Sequence, residues 1–205
     1  PYQRADSSRQ QVTWAELRHL VGGATAVAGA GSAPGMLFNL DGGDSSTANA
    51  RGVDGVQSET FPLGDGRCYK HTDTCTRYGD RWALPNGSGC YLPHVAEGID
   101  RAARNEYLCL SSTDAGGKVT TGPKSAFIHL VGLNAADAHD LAVTGTALVW
   151  SPRSNIALYG DTAPVTLFDR SGVIIGLGTD WLPSGSMNML RELVCAAEFN
   201  ANNLG

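Results

Sequence analysis

The stretch Val173-Ile174-Ile175-Gly176-Leu177-Gly178-Thr179-Asp180-Trp181 decides how the chain folds. Its apolar run is continuous rather than alternating, the pattern of a strand covered on both faces, as in a parallel sheet. It ends in a carboxylate. In open α/β sheets and barrels the carboxyl ends of the strands carry the chemistry. A buried Asp left unpaired is costly, so Asp180 needs a partner. A bound cation is one candidate; a cap on the following helix, through Ser184 or Ser186, is the other.

Working outward, the 205 residues are 42% hydrophobic with a formal net charge of −5. This suits one globular domain with a sizeable core. Mild acidity without a Lys/Arg cluster argues against a nucleic-acid partner, and no apolar run is long enough to span a membrane. The chain starts at Pro1, so a processed or cut N-terminus is expected. Its 26 glycines fit many short strand-to-helix connections. Five cysteines fall at Cys68, Cys75, Cys90, Cys109 and Cys195, with no C-x-x-C pair. One disulfide among Cys68, Cys75 and Cys90 is expected, with Cys109 and Cys195 as buried thiols. Such a disulfide favours an exported protein, but cytoplasmic and exported both stay open.

Thr13-Trp14-Ala15-Glu16 has the form of a capping box, opening a helix in which Leu17, Leu20 and Val21 form an apolar stripe before Gly22 ends it. Ala24 to Ala28 is expected as a strand. The following Gly29-Ala30-Gly31-Ser32-Ala33-Pro34-Gly35 is a poor dinucleotide fingerprint, because Pro34 stands at the third-glycine position. A short strand is expected within 53–63, and a long polar loop over 64–90 that carries His71. From Cys90 the pattern is regular. Strands are expected at 90–95, 125–131 and 146–150, helices at 99–110 and 134–144. The 173–181 strand and a helix over 186–199 follow, with Met187, Leu190, Val194 and Ala197 turned inward. This alternation argues a parallel α/β sheet.

The ionisable residues fall at strand ends. His94 closes one strand, His129 lies late in the next and Asp180 ends the last, all on one rim of a parallel sheet. Nitrogen and carboxylate donors on a common rim suit a catalytic zinc-type ion with an open position. Glu97, three residues after His94, can reach the same centre and carry a proton between water and leaving group. His19 and His139 read as helix-surface or helix-packing residues.

These residues carry a resemblance. Trp14-Ala15-Glu16-Leu17-Arg18 with Gly22-Gly23-Ala24-Thr25, Pro93-His94-Val95-Ala96-Glu97-Gly98, Ile128-His129-Leu130, Ser151-Pro152-Arg153-Ser154-Asn155 and Leu177-Gly178-Thr179-Asp180-Trp181 form an ordered set. Together they resemble the amidohydrolase superfamily, in its cytosine-deaminase and chlorohydrolase-like branch. The resemblance implies a (β/α)8 TIM-type barrel with one divalent metal, zinc foremost or iron. His94 would be a metal ligand and Glu97 the proton shuttle. His129 would polarise the substrate or ligate the metal. Asp180 would bind metal and act as general base. Ser154 and Asn155 would lie beside the pocket. Of the aromatic residues near strand ends, Trp181, Trp150 and Tyr159 are read either as a stacking wall for a flat ring or as core. The implied reaction is attack of a metal-bound hydroxide on a C–N bond of a small-molecule amide, amidine or heterocycle.

The family's His-x-His pair at the first barrel strand does not occur in these residues, and about six strands are countable where a closed barrel has eight. The chain is therefore expected to supply only part of the barrel over residues 1–205. The remainder of the same polypeptide, or a companion chain, would complete it. A non-catalytic barrel derivative serving in binding or assembly is the competing expectation.

Overall fold

The computed structural model describes residues 8–29, 33, 35–41, 55–66, 70–79, 82–87 and 89–204. Its strands are β1 (Ala26–Val27), β2 (Phe38–Asn39), β3 (Val56–Glu59), β4 (Cys90–Val95), β5 (Ala126–His129), β6 (Ala147–Trp150) and β7 (Ile175–Leu177). They form a two-stranded and a five-stranded sheet, each in chain order and parallel throughout. A parallel bridge between Asp41 and Val56 joins the two. The described strands thus make one more than the six expected, in the sequential parallel order of a barrel wall, and do not close on themselves.

Helices α1 (Arg9–Val21), α2 (Arg101–Ser111), α3 (Ala135–Thr144), α4 (Pro152–Tyr159), α5 (Val165–Ser171) and α6 (Met189–Phe199) connect or follow the strands. The core lies between strands and helices, around Phe127, Leu148, Tyr107, Leu141 and Phe168. Asn134 caps α3 with Asp137 in a reciprocal box, and Gly145 ends that helix in the left-handed conformation, as its sequence implies. Asp137 also takes two hydrogen bonds from Arg104, at 2.8 and 2.9 Å, which ties α2 to α3.

Four local expectations are corrected. The capping box of α1 is formed by Ser8 and Gln11, not by Thr13 and Glu16, because Thr13 already lies inside the helix and bonds back to the Arg9 carbonyl. Glu16 is buried and accepts the Ala33 and Leu37 amides, while Leu20 and Val21 face outward. Helices α4 and α5 lie between β6 and β7, where two strands in succession are expected. Pro152 stands at the first position of α4, and Gly160 and Gly172 close α4 and α5 with positive φ. Helix α6 is turned over: Met187, Leu190, Val194 and Ala197 are exposed, and Glu192 is fully buried. Finally, Cys75 is bonded to Cys109, joining the long loop to α2. Cys90 and Cys195 are free thiols, and Cys68 lies outside the described residues. The pairing crosses 34 residues of sequence, a contact that only the packing of the loop on α2 creates.

Other expectations hold. His139 is exposed on α3 and His19 sits on α1. No helix among the described residues is long and apolar enough to cross a membrane. Part of the Gly29–Gly35 loop, including Gly31 and Pro34, lies outside the described residues.

Candidate active site

The site forms where β4, β5 and β7 end. Ligand-capable atoms of His94, His129 and Asp180 all lie within 4.8 Å of one another. Glu97 joins them, its Oε2 3.5 Å from Nε2 of His129. The structure therefore brings together all four residues expected on the rim.

The backbone at these strand ends leaves ordinary strand geometry. Among the described residues, five other than glycine have positive φ, and four of them are here: Ala96 (52°), His129 (78°), Leu130 (52°) and Asp180 (56°). Each such residue costs about 1–2 kcal/mol, strain that tertiary contacts must hold in place. For His129 the consequence is direct. It pairs with Val95, whose side chain is fully buried, and strict alternation would keep His129 on the side of Phe127, also fully buried. Its left-handed backbone breaks the alternation, and its ring lies 5.1 Å from that of His94. At the end of β7 Gly178 permits close approach to β6: a Cβ there would stand 2.7 Å from Cγ1 of Val149.

Hydrogen bonds assign the two imidazoles opposite tautomers. Nδ1 of His94 is 3.0 Å from the carbonyl oxygen of Glu59, which can only accept, so His94 carries its proton on Nδ1 and presents a lone pair at Nε2. At His129 the chain of donors runs the other way. The Trp150 indole donates to Thr162 Oγ1 at 2.7 Å, and that hydroxyl donates to Asn155 Oδ1 at 3.3 Å. The Asn155 amide nitrogen is thereby directed at His129 Nδ1, 2.9 Å away, and donates to it. His129 then bears its proton on Nε2, the buried atom that has no hydrogen-bond partner. Burial first, and His94 second, hold its pKa well below the ordinary value, so the ring is neutral.

The carboxylates are also tuned. Burial, with Asp180 adding like charge, pushes Glu97 up to about 7, against the hydroxyl of Tyr159, which donates to its Oε1 at 3.0 Å. A carboxyl group balanced near neutrality can both take and give a proton. Asp180 Oδ2 accepts a short hydrogen bond from Ser154, which in turn contacts Ser184 at 2.8 Å. Ser154 and Asn155 are fully buried and touch Asp180 and His129 from behind. Trp181 follows Asp180 and is 43% exposed.

The donor set fits a divalent ion. His94 offers a free ring nitrogen and Asp180 a carboxylate, the nitrogen and oxygen types that zinc and similar ions take. Sequence reasoning missed Thr162 and gave Tyr159 and Trp150 another role, that of stacking or core residues; in the structure Tyr159 supports Glu97, and Thr162 with Trp150 supports Asn155. Tyr159 reaches Glu97 from the end of α4, and Trp150 and Thr162 reach His129 only through Asn155 on that helix, an element that the apolar pattern did not reveal.

No protein-family model matches the chain. Over 76 residues, 37% of this chain and 17% of the relative, it is 36% identical to a 5-methylthioadenosine/S-adenosylhomocysteine deaminase of Nitratidesulfovibrio vulgaris. Over 70 residues, 34% of this chain and 16% of the relative, it is 39% identical to the protein of the same name from Desulforudis audaxviator. Each match thus spans about a sixth of the relative's length. Among solved structures, an adenosine deaminase from Xanthomonas campestris with bound zinc covers 95% of this chain, at a TM-score of 0.54 and 17% identity. The chain covers 52% of that protein, and the likeness establishes a common fold.

Proposed function

We propose, from the premise that the chain belongs to the amidohydrolase superfamily, that it acts in metal-dependent hydrolytic deamination. The reading rests on one observation: His94, His129 and Asp180 converge within 4.8 Å, beside a glutamate poised near neutrality. When bound, a divalent ion, zinc before iron, would act as a Lewis acid that polarises the attacking water.

The chain's own residues would do the rest. His94 would ligate through its unprotonated Nε2, and Asp180 would ligate and take a proton from the water. Of the two roles open to His129, the neutral Nε2–H favours polarising the substrate, since ligation there needs the other tautomer. Glu97 would carry a proton to the departing nitrogen, which leaves as ammonia. Trp181 would offer a flat wall to a ring. The deaminases that the sequence resembles act, by their names, on adenine-bearing compounds. An amino-substituted nitrogen heterocycle is accordingly the substrate class we favour.

The test is ammonia release from purine nucleosides, cytosine and simple amides by the zinc-supplemented protein, with Asp180→Asn as control. Release that Asp180→Asn abolishes supports the proposal. A zinc-binding protein that releases no ammonia from any of them would overturn it.

A further inference from the structure

We propose that Glu192 is a positioning residue: from α6 it holds the first turn of α4, and through that turn both Asp180 and His129. This rests on the site described above but assigns a residue outside it.

Glu192 is the one fully buried side chain on a helix whose Leu190, Leu193 and Val194 all face outward. A carboxylate so placed costs free energy unless it is bound, and leucine would be the cheaper occupant. Its partner is the start of α4. Pro152 occupies the first position there and the Ser151 side chain makes no cap, so the amide of Arg153 needs an outside acceptor. Glu192 Oε1 accepts it at 3.1 Å. Ser186, also buried, accepts from Nε of Arg153 at 2.8 Å beside this contact, and Glu192 Oε2 is buried without a hydrogen-bond partner. A negative group at a helix N-terminus is favoured in addition by the helix dipole.

The two residues after Arg153 are the supports of the site. Ser154 donates to Asp180, and Asn155 donates to His129. One turn of backbone therefore aims two of the three candidate ligand-bearing side chains, and Glu192 is the side chain of another helix that accepts from that turn. A role confined to capping predicts lower stability only. A positioning role predicts altered behaviour of the His129 ring in a protein that still folds.

The experiment compares Glu192→Leu, which removes the acceptor at similar volume, with Glu192→Gln, which keeps a carbonyl acceptor. The first readout is the ring nitrogen shifts of His129 by NMR in metal-free protein. The second is zinc affinity by calorimetry. In a folded Glu192→Leu protein the ring should move from a single Nε2–H form to a mixture, and zinc affinity should fall about tenfold, as for other residues that orient ligands. Glu192→Gln should restore both. A folded Glu192→Leu protein with unaltered ring signals overturns the proposal, as does a Gln variant that behaves like Leu. Should Leu prevent folding, Glu192→Asp withdraws the acceptor by one methylene while keeping the charge, and the same readouts decide. If the unaltered protein takes up no zinc, the proposed function fails, whereas the ring signals still test Glu192.

Discussion

The amide of Asn155 lies 2.9 Å from Nδ1 of His129 and joins the first turn of α4 to the end of β5. Both groups are fully buried, so the contact acts away from competing water. It sets which ring nitrogen of His129 faces the site.

Thr162→Val should break the relay that orients Asn155. The Trp150 indole loses its acceptor, which costs about 1–3 kcal/mol of stability. With its Oδ1 unheld, the Asn155 amide can turn, and His129 should show both neutral tautomers in its ring nitrogen shifts. A ring that keeps the single form would show that Thr162 has no such role.

Tyr159→Phe removes a donor to the ionised form of Glu97, so the carboxyl should titrate above its present value of about 7. If Glu97 must start as a carboxylate, the acid limb of the rate–pH profile moves to higher pH. A profile superimposable on the parent would separate Tyr159 from the proton shuttle.

Glu106 makes stability fall as pH rises. Its Oε2 accepts the Ala96 amide at 3.1 Å, and burial, with Asp65 nearby, pushes it up to about 8 from 4.5. The folded state then holds a proton that the unfolded chain releases, so the stabilisation is complete below the unfolded value. It is lost as pH rises through the folded one. Denaturant midpoints measured across this window should decline for the parent and decline less for Glu106→Gln. Some slope should remain, because Glu97 is raised in the same direction.

Breaking the Cys75–Cys109 bond releases a link across 34 residues and should cost about 3–4 kcal/mol on the chain-entropy account. Chemical unfolding with and without reductant reads this directly. Cys75→Ser should reproduce the reduced protein, and Cys90→Ser should leave the midpoint unchanged, since Cys90 is exposed and free.

Much of the strand order was legible in the chain because apolar runs mark the strands and end visibly at His94 and Asp180. The run before Asp180 is nevertheless not covered on both faces, since only Ile175–Leu177 is strand, at the end of the described sheet, and Ile174 is 74% exposed. The same logic failed for short helices. Helix α4 has only eight residues and starts in polar Arg153-Ser154-Asn155, so its pattern is that of a loop; only Pro152 and Gly160 mark its ends. Helix α6 shows the opposite failure. Its apolar stripe was a sound reason to place Leu190 and Val194 inside, but Glu192 is required at the amide of Arg153, a partner 39 residues away.

By itself, then, the sequence determined the parallel α/β plan and the presence of His94, Glu97, His129 and Asp180 at strand ends, because hydrophobic periodicity and chain order are local properties. Tertiary structure alone decided the left-handed backbone at His129 and Asp180, the opposite tautomers of the two histidines and the Cys75–Cys109 pairing. Each depends on atoms that meet only after distant segments pack. A strained φ or a ring proton is held by such neighbours rather than by the residue's own type.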